Sequence, residues 1–499
     1  MPRPLLLLLG NQLFPVARLA AHAGTPVFMA EDLGLCTYVR HHQQKLVLFL
    51  AAMRAHAAAL RAAGFRVDYR TLDDGGELSY EQKLEAALQA HGADTLVHFE
   101  IEDRFFEQRI VALAARLGLR RVELPSPLFL CPRAAFADYL EAAGGRPRLA
   151  DFYRRERRRL GVLVDRAGRP RGGRWSFDAD NRKRLPRGVE PPPVTWVTPD
   201  AGTREVIALV AARFPDHPGR AADFRWPVTR AQALAWLDEF LAQRFAGFGS
   251  YEDALATRSP TLFHSLLAPA LNLGLLTPDE VLERALQAAT ERAVPLNDVE
   301  GFVRQLLGWR EFVRGIDRHF GARQEQANFW DHRRRLGAAW YAADTGVPPL
   351  DDALRAARDL GWAHHIQRLM VLGNLMTLCE IEPRAAWRWF MEWFVDSSDW
   401  VMGPNVYGMA LYSDGGLFAT KPYLCGANYL LKMSDYPRGD WCDAVDGLYW
   451  RFIARHREFF AAQPRLAVMP RALERLPAER ARRIGAAAEA FLARVTEPG

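Results

Sequence analysis

Two adjacent histidines, His364 and His365, open the run Ala363-His-His-Ile-Gln-Arg-Leu-Met-Val-Leu-Gly-Asn374. Histidine is the side chain that exchanges protons near neutral pH. The apolar residues Ile366, Leu369, Met370 and Leu372 recur behind the pair at helical spacing. Neighbours on a helix point about 100° apart, so at most one histidine lies squarely on the core face. The other is free to face a cleft, where it can act as a general acid or base. A buried, hydrogen-bonded histidine beside an exposed one is the plain structural alternative.

Other groupings also carry chemistry. Arg304, Gln305, Trp309 and Arg310 fall on one helix, and positions 305 and 309 face the same way. An aromatic wall and a polar arm can thus frame one ligand, although such a tryptophan equally serves a core. Trp387, Trp389, Trp393 and Trp400 crowd one segment of a chain that holds 14 Trp and 28 Phe. Between Arg146 and Arg187 stand 15 Arg and Lys, Arg154, Arg155, Arg157, Arg158, Arg159, Arg182, Lys183 and Arg184 among them. A block of this kind suits a polyanion, because each neutralised phosphate releases a counterion; a solvated basic face is the alternative. The five cysteines, Cys36, Cys131, Cys379, Cys425 and Cys442, form no CxxC pair, as expected of reduced, buried thiols in a cytoplasmic protein.

These residues need a scaffold, and the chain is long enough at 499 residues for two or three domains. Its 49% hydrophobic and 25% charged content fits a soluble globular protein. Leu5–Leu9 is too short for a signal peptide and reads as a buried strand, and no run approaches a membrane span. Up to about residue 130, strand patterns (5–9, 25–29, 66–70, 95–99, 121–124) alternate with helical ones (42–63, 81–91, 106–117). This rhythm implies a parallel sheet covered by helices on both faces. Ligands of such sheets sit at the strand C-termini, here Gly10-Asn11-Gln12 and Glu100 to Glu102. No G-x-G-x-x-G is present, which argues against a dinucleotide in this half. Residues 131–200 read as a basic connector, and helical patterns dominate from 201 to 499: 231–246, 278–293, 299–320, 354–361, 363–379, 384–394 and 448–460.

Several motifs then occur in a telling order. They are His264-Ser265-Leu266-Leu267 after Phe248-Gly-Ser-Tyr251-Glu-Asp253, Glu300 to Phe312, and the His-His run. Trp387-Arg-Trp389-Phe390, Asp396-Ser-Ser-Asp399-Trp400-Val-Met-Gly-Pro-Asn405 and Thr420-Lys421-Pro-Tyr423 follow. From Leu5 to about Leu466 the combination resembles the cryptochrome/photolyase superfamily. More narrowly it is similar to the bacterial iron–sulfur branch, whose members repair (6-4) photoproducts in DNA. The resemblance implies an α/β, Rossmann-like antenna domain over 1–130, a connector over 131–200, and an all-α FAD-binding domain over 201–499. It implies FAD contacts from Tyr251, His264, Ser265, Leu266, Leu267, Arg304, Gln305, Trp309, Arg310, Asp396, Asp399 and Asn405. The diphosphate would lie at a helix N-terminus beside Ser265, and Asn405 would face the flavin N5. His365, beside His364, would be the proton donor. Trp389 would be the proximal electron donor, with Tyr341 or its neighbour Trp340 next in the relay, since Phe390 stands where a redox-active Tyr is common. Trp175, Arg182, Lys183, Arg184, Lys421 and Tyr423 would hold UV-damaged DNA. A lumazine-type antenna would sit at Gly10, Asn11 and Gln12.

The chain also departs from that pattern. A four-iron cluster needs four thiolates, and the matching positions hold Pro348-Pro349, Pro437, Asp440 and, nearby, Cys442. No cluster is expected; Tyr436, Trp441 and Trp450 are expected to pack in its stead. Met402 replaces a glutamate near the flavin, which counts against lesion chemistry, and Asn11 and Leu35 replace acidic residues, which counts against the antenna. The expected function is blue-light repair of (6-4) photoproducts by a monomeric, cytoplasmic enzyme. In that scheme reduced FAD injects an electron into the flipped lesion and His365 protonates it. A photoreceptor without repair activity and a flavin-free nucleic-acid binder are the alternatives.

Overall fold

The computed structural model describes residues 2–74 and 78–499. Strands β1 (Pro4–Leu7), β2 (Val27–Ala30), β3 (Val67–Arg70), β4 (Thr95–Phe99) and β5 (Arg120–Leu124) form one parallel sheet in the order β3-β2-β1-β4-β5. Every register pairs neighbours in the same direction, Leu6 against Val27 and Val97 for example. The inner strands are apolar on both faces because helices cover both. The edge strand β5 exposes Arg120, Arg121 and Glu123, charges that blunt an edge. The helix Tyr80–Ala90 starts at a capping box between Ser79 and Gln82.

Two boundaries differ from the sequence expectation. The connector contains two helices, Arg133–Ala142 and Leu149–Leu160, rather than a loop alone. Helix Ala201–Arg213, expected in the second domain, packs against helix Gln43–Ala62 of the first. One apolar core therefore runs from Leu6 and Leu48 through Val206 and Trp236 to Leu307, so the halves share an interior.

The strand C-termini face the helical half, not solvent. Arg314 there donates to Glu102 at 2.9 Å and Glu100 at 2.8 Å, and Arg104 meets Asp317 at 3.1 Å. Gln12 is 1% exposed, donates to the Glu100 carbonyl at 3.0 Å and accepts from Leu9 N–H. Its amide is thus tied at both ends to the protein backbone at the strand ends where the antenna is expected. Asn11 leans on Asp103 at 3.5 Å, and a Cβ on Gly10 would meet the Met53 sulfur at 2.8 Å.

The rest is helical apart from a two-residue pairing of Arg335–Leu336 with Thr496–Glu497. Among the described residues no helix is long and apolar enough to cross a membrane. Three helices widen into π turns, at Arg304–Arg310, Gln367–Gly373 and Pro404–Ala410. Such turns add a residue to the helical circuit and often mark functional sites. Here all three line one cavity.

Candidate active site

That cavity is about 1360 Å³, above the roughly 300–1,000 Å³ of drug-sized ligand sites. Its lining brings together His264, Ser265, Leu266, Leu267, Arg304, Gln305, Trp309, Arg310, His365, Asp396, Asn405, Lys421 and Tyr423. Trp175 and Arg182 from the connector line it too. Residues separated by up to 248 positions in sequence thus meet at one site.

The histidine pair diverges because it straddles a helix start. Gly361, at φ +62°, ends helix Pro348–Leu360 in the left-handed conformation glycine favours. Helical turns resume at His365, and Gln367 reaches back to accept from His364 N–H at 3.3 Å. The helix therefore begins at 365 and not at Ala363. His364 is 2% exposed, does not line the cavity, and stacks on His264 at 4.8 Å with 12° between the rings. Burial, then repulsion from neighbouring histidines and Arg368, pushes both His264 and His364 well below the usual histidine range. Each keeps one ring nitrogen without a partner, His264 Nε2 and His364 Nδ1. His365 has a 40% exposed side chain and lies 3.4 Å from Asp253.

Arg310 is half-buried in the cavity wall, donates to Asn272 at 2.6 Å and lies 5.0 Å from the rings of both Phe129 and Trp400. Desolvation brings it down to about 10, and its Nε has no partner. Arg368 forks onto both oxygens of Asp396 at 3.0 and 3.1 Å. The Asp396 carboxylate thus presents a paired cation to the cavity and is not itself a free acceptor. Asn405 donates to the Val401 carbonyl at 2.8 Å, so its own carbonyl oxygen is the end left to accept.

Other placements correct the sequence reading. The helix after Ser265 is Ala268–Leu273, six residues with its start beyond Ser265, so it offers little macrodipole. Ser265 Oγ instead accepts from Leu267 N–H at 3.4 Å, in a loop where Leu266 takes a φ of +56°. Arg304 spends its guanidinium on Glu252 at 2.8 Å, Glu300 at 3.3 Å and Asp178 at 3.3 Å, a structural hub. Gln305 donates to Glu252 at 3.2 Å. Tyr251 packs on Phe263 at 5.2 Å, and Asp399 accepts from Tyr38 at 3.0 Å; neither lines the cavity. Asp399 and Asp103 sit among buried charges at the domain junction, both pushed above the carboxylate range by desolvation.

Trp389 lies behind the lining, while Phe390 faces the cavity. Trp389 stacks on Trp393 at 5.3 Å and 11°, and Trp393 is 6.1 Å from Tyr341, itself 39% exposed. Trp340 is fully buried. At the mouth, Trp175 lies 4.7 Å from Arg158 and 5.1 Å from Arg157. Arg157 is core, 1% exposed, and donates to the Trp175 carbonyl at 2.8 Å. Arg182 pairs with Asp178, and Arg174 with Asp180 at 2.6 Å, while Lys183 and Arg184 are exposed away from the lining.

Sequence reasoning gave no role to Arg368, Asn272, Glu252, Asp253 or Trp393. Arg368 was open to detection at i+3 from His365, the rest only by pairing across the fold.

The pocket fits FAD on three counts: its size, the half-buried guanidinium groups of Arg310 and Arg368, and the unpartnered polar atoms His264 Nε2 and Arg310 Nε. An iron–sulfur cluster does not fit the residues present. Pro349 lies in the first turn of a helix, Trp441 Nε1 donates to the Pro437 carbonyl at 3.1 Å, and Tyr436 donates to Asp352 at 2.7 Å. Among the described residues no group of three or more His, Cys, Asp or Glu is placed to hold a metal.

Residues 6–226 match the family model for deoxyribodipyrimidine photo-lyase-related protein, and residues 302–423, which contain all three π turns, match the FAD binding domain of DNA photolyase. The chain is 35% identical over 481 residues to the (6-4) photolyase of Agrobacterium fabrum, covering 93% of this chain and 94% of that one. It is 27% identical over 224 residues to the deoxyribodipyrimidine photo-lyase of Salmonella typhimurium, covering 43% of this chain and 46% of that one. The fold matches the crystal structure of a bacterial class III photolyase from Agrobacterium tumefaciens at a TM-score of 0.58, with 20% identity and 98% of each chain covered. A Synechocystis cryptochrome matches at 0.58 and 15% identity, again over 98% of both chains. An FAD-binding photolyase domain, near-complete coverage of a bacterial relative and a cavity built on the domain's own π turns lead to one assignment: this chain belongs to the cryptochrome/photolyase superfamily, in its photolyase-related bacterial branch.

Proposed function

We propose that this protein is a DNA photolyase that repairs (6-4) pyrimidine photoproducts under blue light. The observation that carries the reading is His365, a half-exposed histidine in the lining of a large cavity, backed by two histidines that desolvation keeps neutral. FAD, when bound, supplies the light-driven electron. The protein's own residues do the rest. His365 delivers a proton from its ring nitrogen to the lesion, a role that suits a histidine near neutral pH. Asn405 offers its carbonyl oxygen to the reduced flavin. Arg310 holds positive charge at the cavity wall for an anionic cofactor, and the Arg368–Asp396 pair, neutral in sum, adds polar groups beside it. Tyr423 and Trp175 stack against extruded bases, and opening a damaged pair costs less than opening an intact one. Lys421, Lys183 and Arg184, all exposed, take backbone phosphates.

Met402 favours a second reading, photoreception without repair, because it lines the cavity where a glutamate would meet the lesion. Product chromatography of irradiated oligonucleotide after blue light separates the two. Light-dependent loss of the (6-4) product supports repair. Purified, flavin-loaded protein that leaves the lesion intact moves photoreception ahead, and a colourless preparation that takes up no FAD removes both.

A further inference from the structure

We infer that Asp253 is a positioning residue: its carboxylate fixes the ring of His365, and the turn that carries it is built to hold that carboxylate still. The role in repair rests on the photolyase reading, whereas the pair itself does not.

Three consecutive residues divide the work. Tyr251 is wedged on Phe263 at 5.2 Å. Glu252 is 3% exposed and accepts from Arg304 at 2.8 Å, Gln305 at 3.2 Å and Asn181 at 3.1 Å. The next side chain, Asp253, points into the cavity and reaches His365 Nε2 with Oδ1 at 3.4 Å. Its neighbours are therefore anchored, and the Tyr251 carbonyl closes the turn by accepting from Ala254 N–H at 3.1 Å. The histidines are not equivalent in this setting. His264 and His364 lie face to face at 4.8 Å, and His264 meets His365 edge-on at 5.4 Å. Among the described residues only His365 of the three has a carboxylate within ion-pair range.

A carboxylate opposite Nε2 keeps a proton on that atom, so the proton that His365 gives up in repair is the one on Nδ1, and the ring is left as its neutral Nε2–H tautomer. It also stops the ring turning about its side-chain bonds, which matters because donor geometry governs proton transfer. The 3.4 Å separation is long for a hydrogen bond, as such contacts often are before substrate closes the site. Asp253 need touch neither flavin nor lesion, and it acts through His365.

The test uses flavin-loaded, full-length protein with ¹⁵N-labelled histidine, and compares the parent with Asp253→Asn and Asp253→Glu. The His365 signals are assigned by their loss in His365→Asn. Asp253→Asn should shift both His365 ring-nitrogen resonances and leave those of His264 and His364 in place. It should lower the repair yield per absorbed photon by roughly tenfold or more, with flavin content and affinity for lesion DNA unchanged. Asp253→Glu should restore resonances and yield, which a general loss of fold would not allow. Unmoved His365 resonances in Asp253→Asn would overturn the inference. Moved resonances with full repair would overturn the role in repair. A parent that repairs nothing, yet whose His365 signals still answer to Asp253→Asn, would refute the proposed function while upholding the pair.

Discussion

Desolvation decides what each histidine at or behind the cavity wall can do. His264 and His364 lose water and stay neutral, whereas His365 keeps contact with solvent and with one carboxylate, Asp253 at 3.4 Å. His365→Asn should therefore cut repair by about a hundredfold or more while flavin remains bound and photoreducible; unchanged repair yield per photon would count against the assignment. The aromatic residues divide by a similar geometric test. Phe390 faces the cavity but its ring is too hard to oxidise, so in the proposed scheme an electron would reach the flavin through the stacked pair Trp389–Trp393, with Tyr341 6.1 Å from Trp393 at the outer end. Flavin photoreduction by external reductant, followed by absorption, should slow in Trp389→Phe and also in Trp393→Phe. An unaffected Trp393→Phe would place the exit elsewhere. The tryptophan motif could be read from the sequence, but the bridging part of Trp393 could not, because stacking at 5.3 Å is set by how two turns of one helix face the core.

At the scale of elements, the connector and the π turns work together. Arg304 sits on a π turn, and by pairing with Asp178, Glu252 and Glu300 it ties the connector to the cavity wall. Arg304→Met would strand buried carboxylates, and breaking such pairs costs about 3–5 kcal/mol; denaturant titration should register a loss of that order. The basic run was legible as composition, but its use was not. Arg157 is core, Arg159 is bound to Glu156, and Arg182 is held by Asp178. Lys183 and Arg184 remain exposed, and Lys183→Gln with Arg184→Gln should flatten the slope of log affinity against log salt by about 1.8, near 0.9 per phosphate contact. Equal flattening on damaged and undamaged duplex is expected, since such contacts carry no sequence information. An unchanged slope would show that this face turns away from DNA.

Across the whole molecule, buried titratable groups make stability depend on pH in two opposed ways. His42 and His56 fall to about 4 and His332 to about 3, with His41, His264 and His364 also depressed, all chiefly by desolvation. Unfolded histidine takes up a proton near pH ~6.5, so these groups cost stability as pH falls below that value. At the domain junction Glu311 and Asp317 are raised to about 7, again by burial first. A carboxylate raised in the folded state contributes stability that is lost as pH climbs through its folded value. The melting temperature should therefore peak near pH ~6.5 and decline toward pH 8. Glu311→Gln should reduce that decline, and a curve rising steadily from pH 6 to 8 would contradict the balance.

The sequence by itself determined the alternating half, the limits of several helices and the order of the motifs. Those properties follow from local periodicity: strands 67–70 and 95–99 and helix Gln43–Ala62 lie within a few residues of their apolar patterns. It also singled out His365, Asn405, Trp309 and Arg310, which the fold brings to one cavity. Only the tertiary structure decided what their polar ends do. Arg304 became a hub on Glu252, Asp399 accepts from Tyr38, and Gln12 donates to the Glu100 carbonyl, each met by a partner distant in the chain. A buried charge or amide must be satisfied by whatever the fold brings within about 3 Å, and no local pattern records that choice.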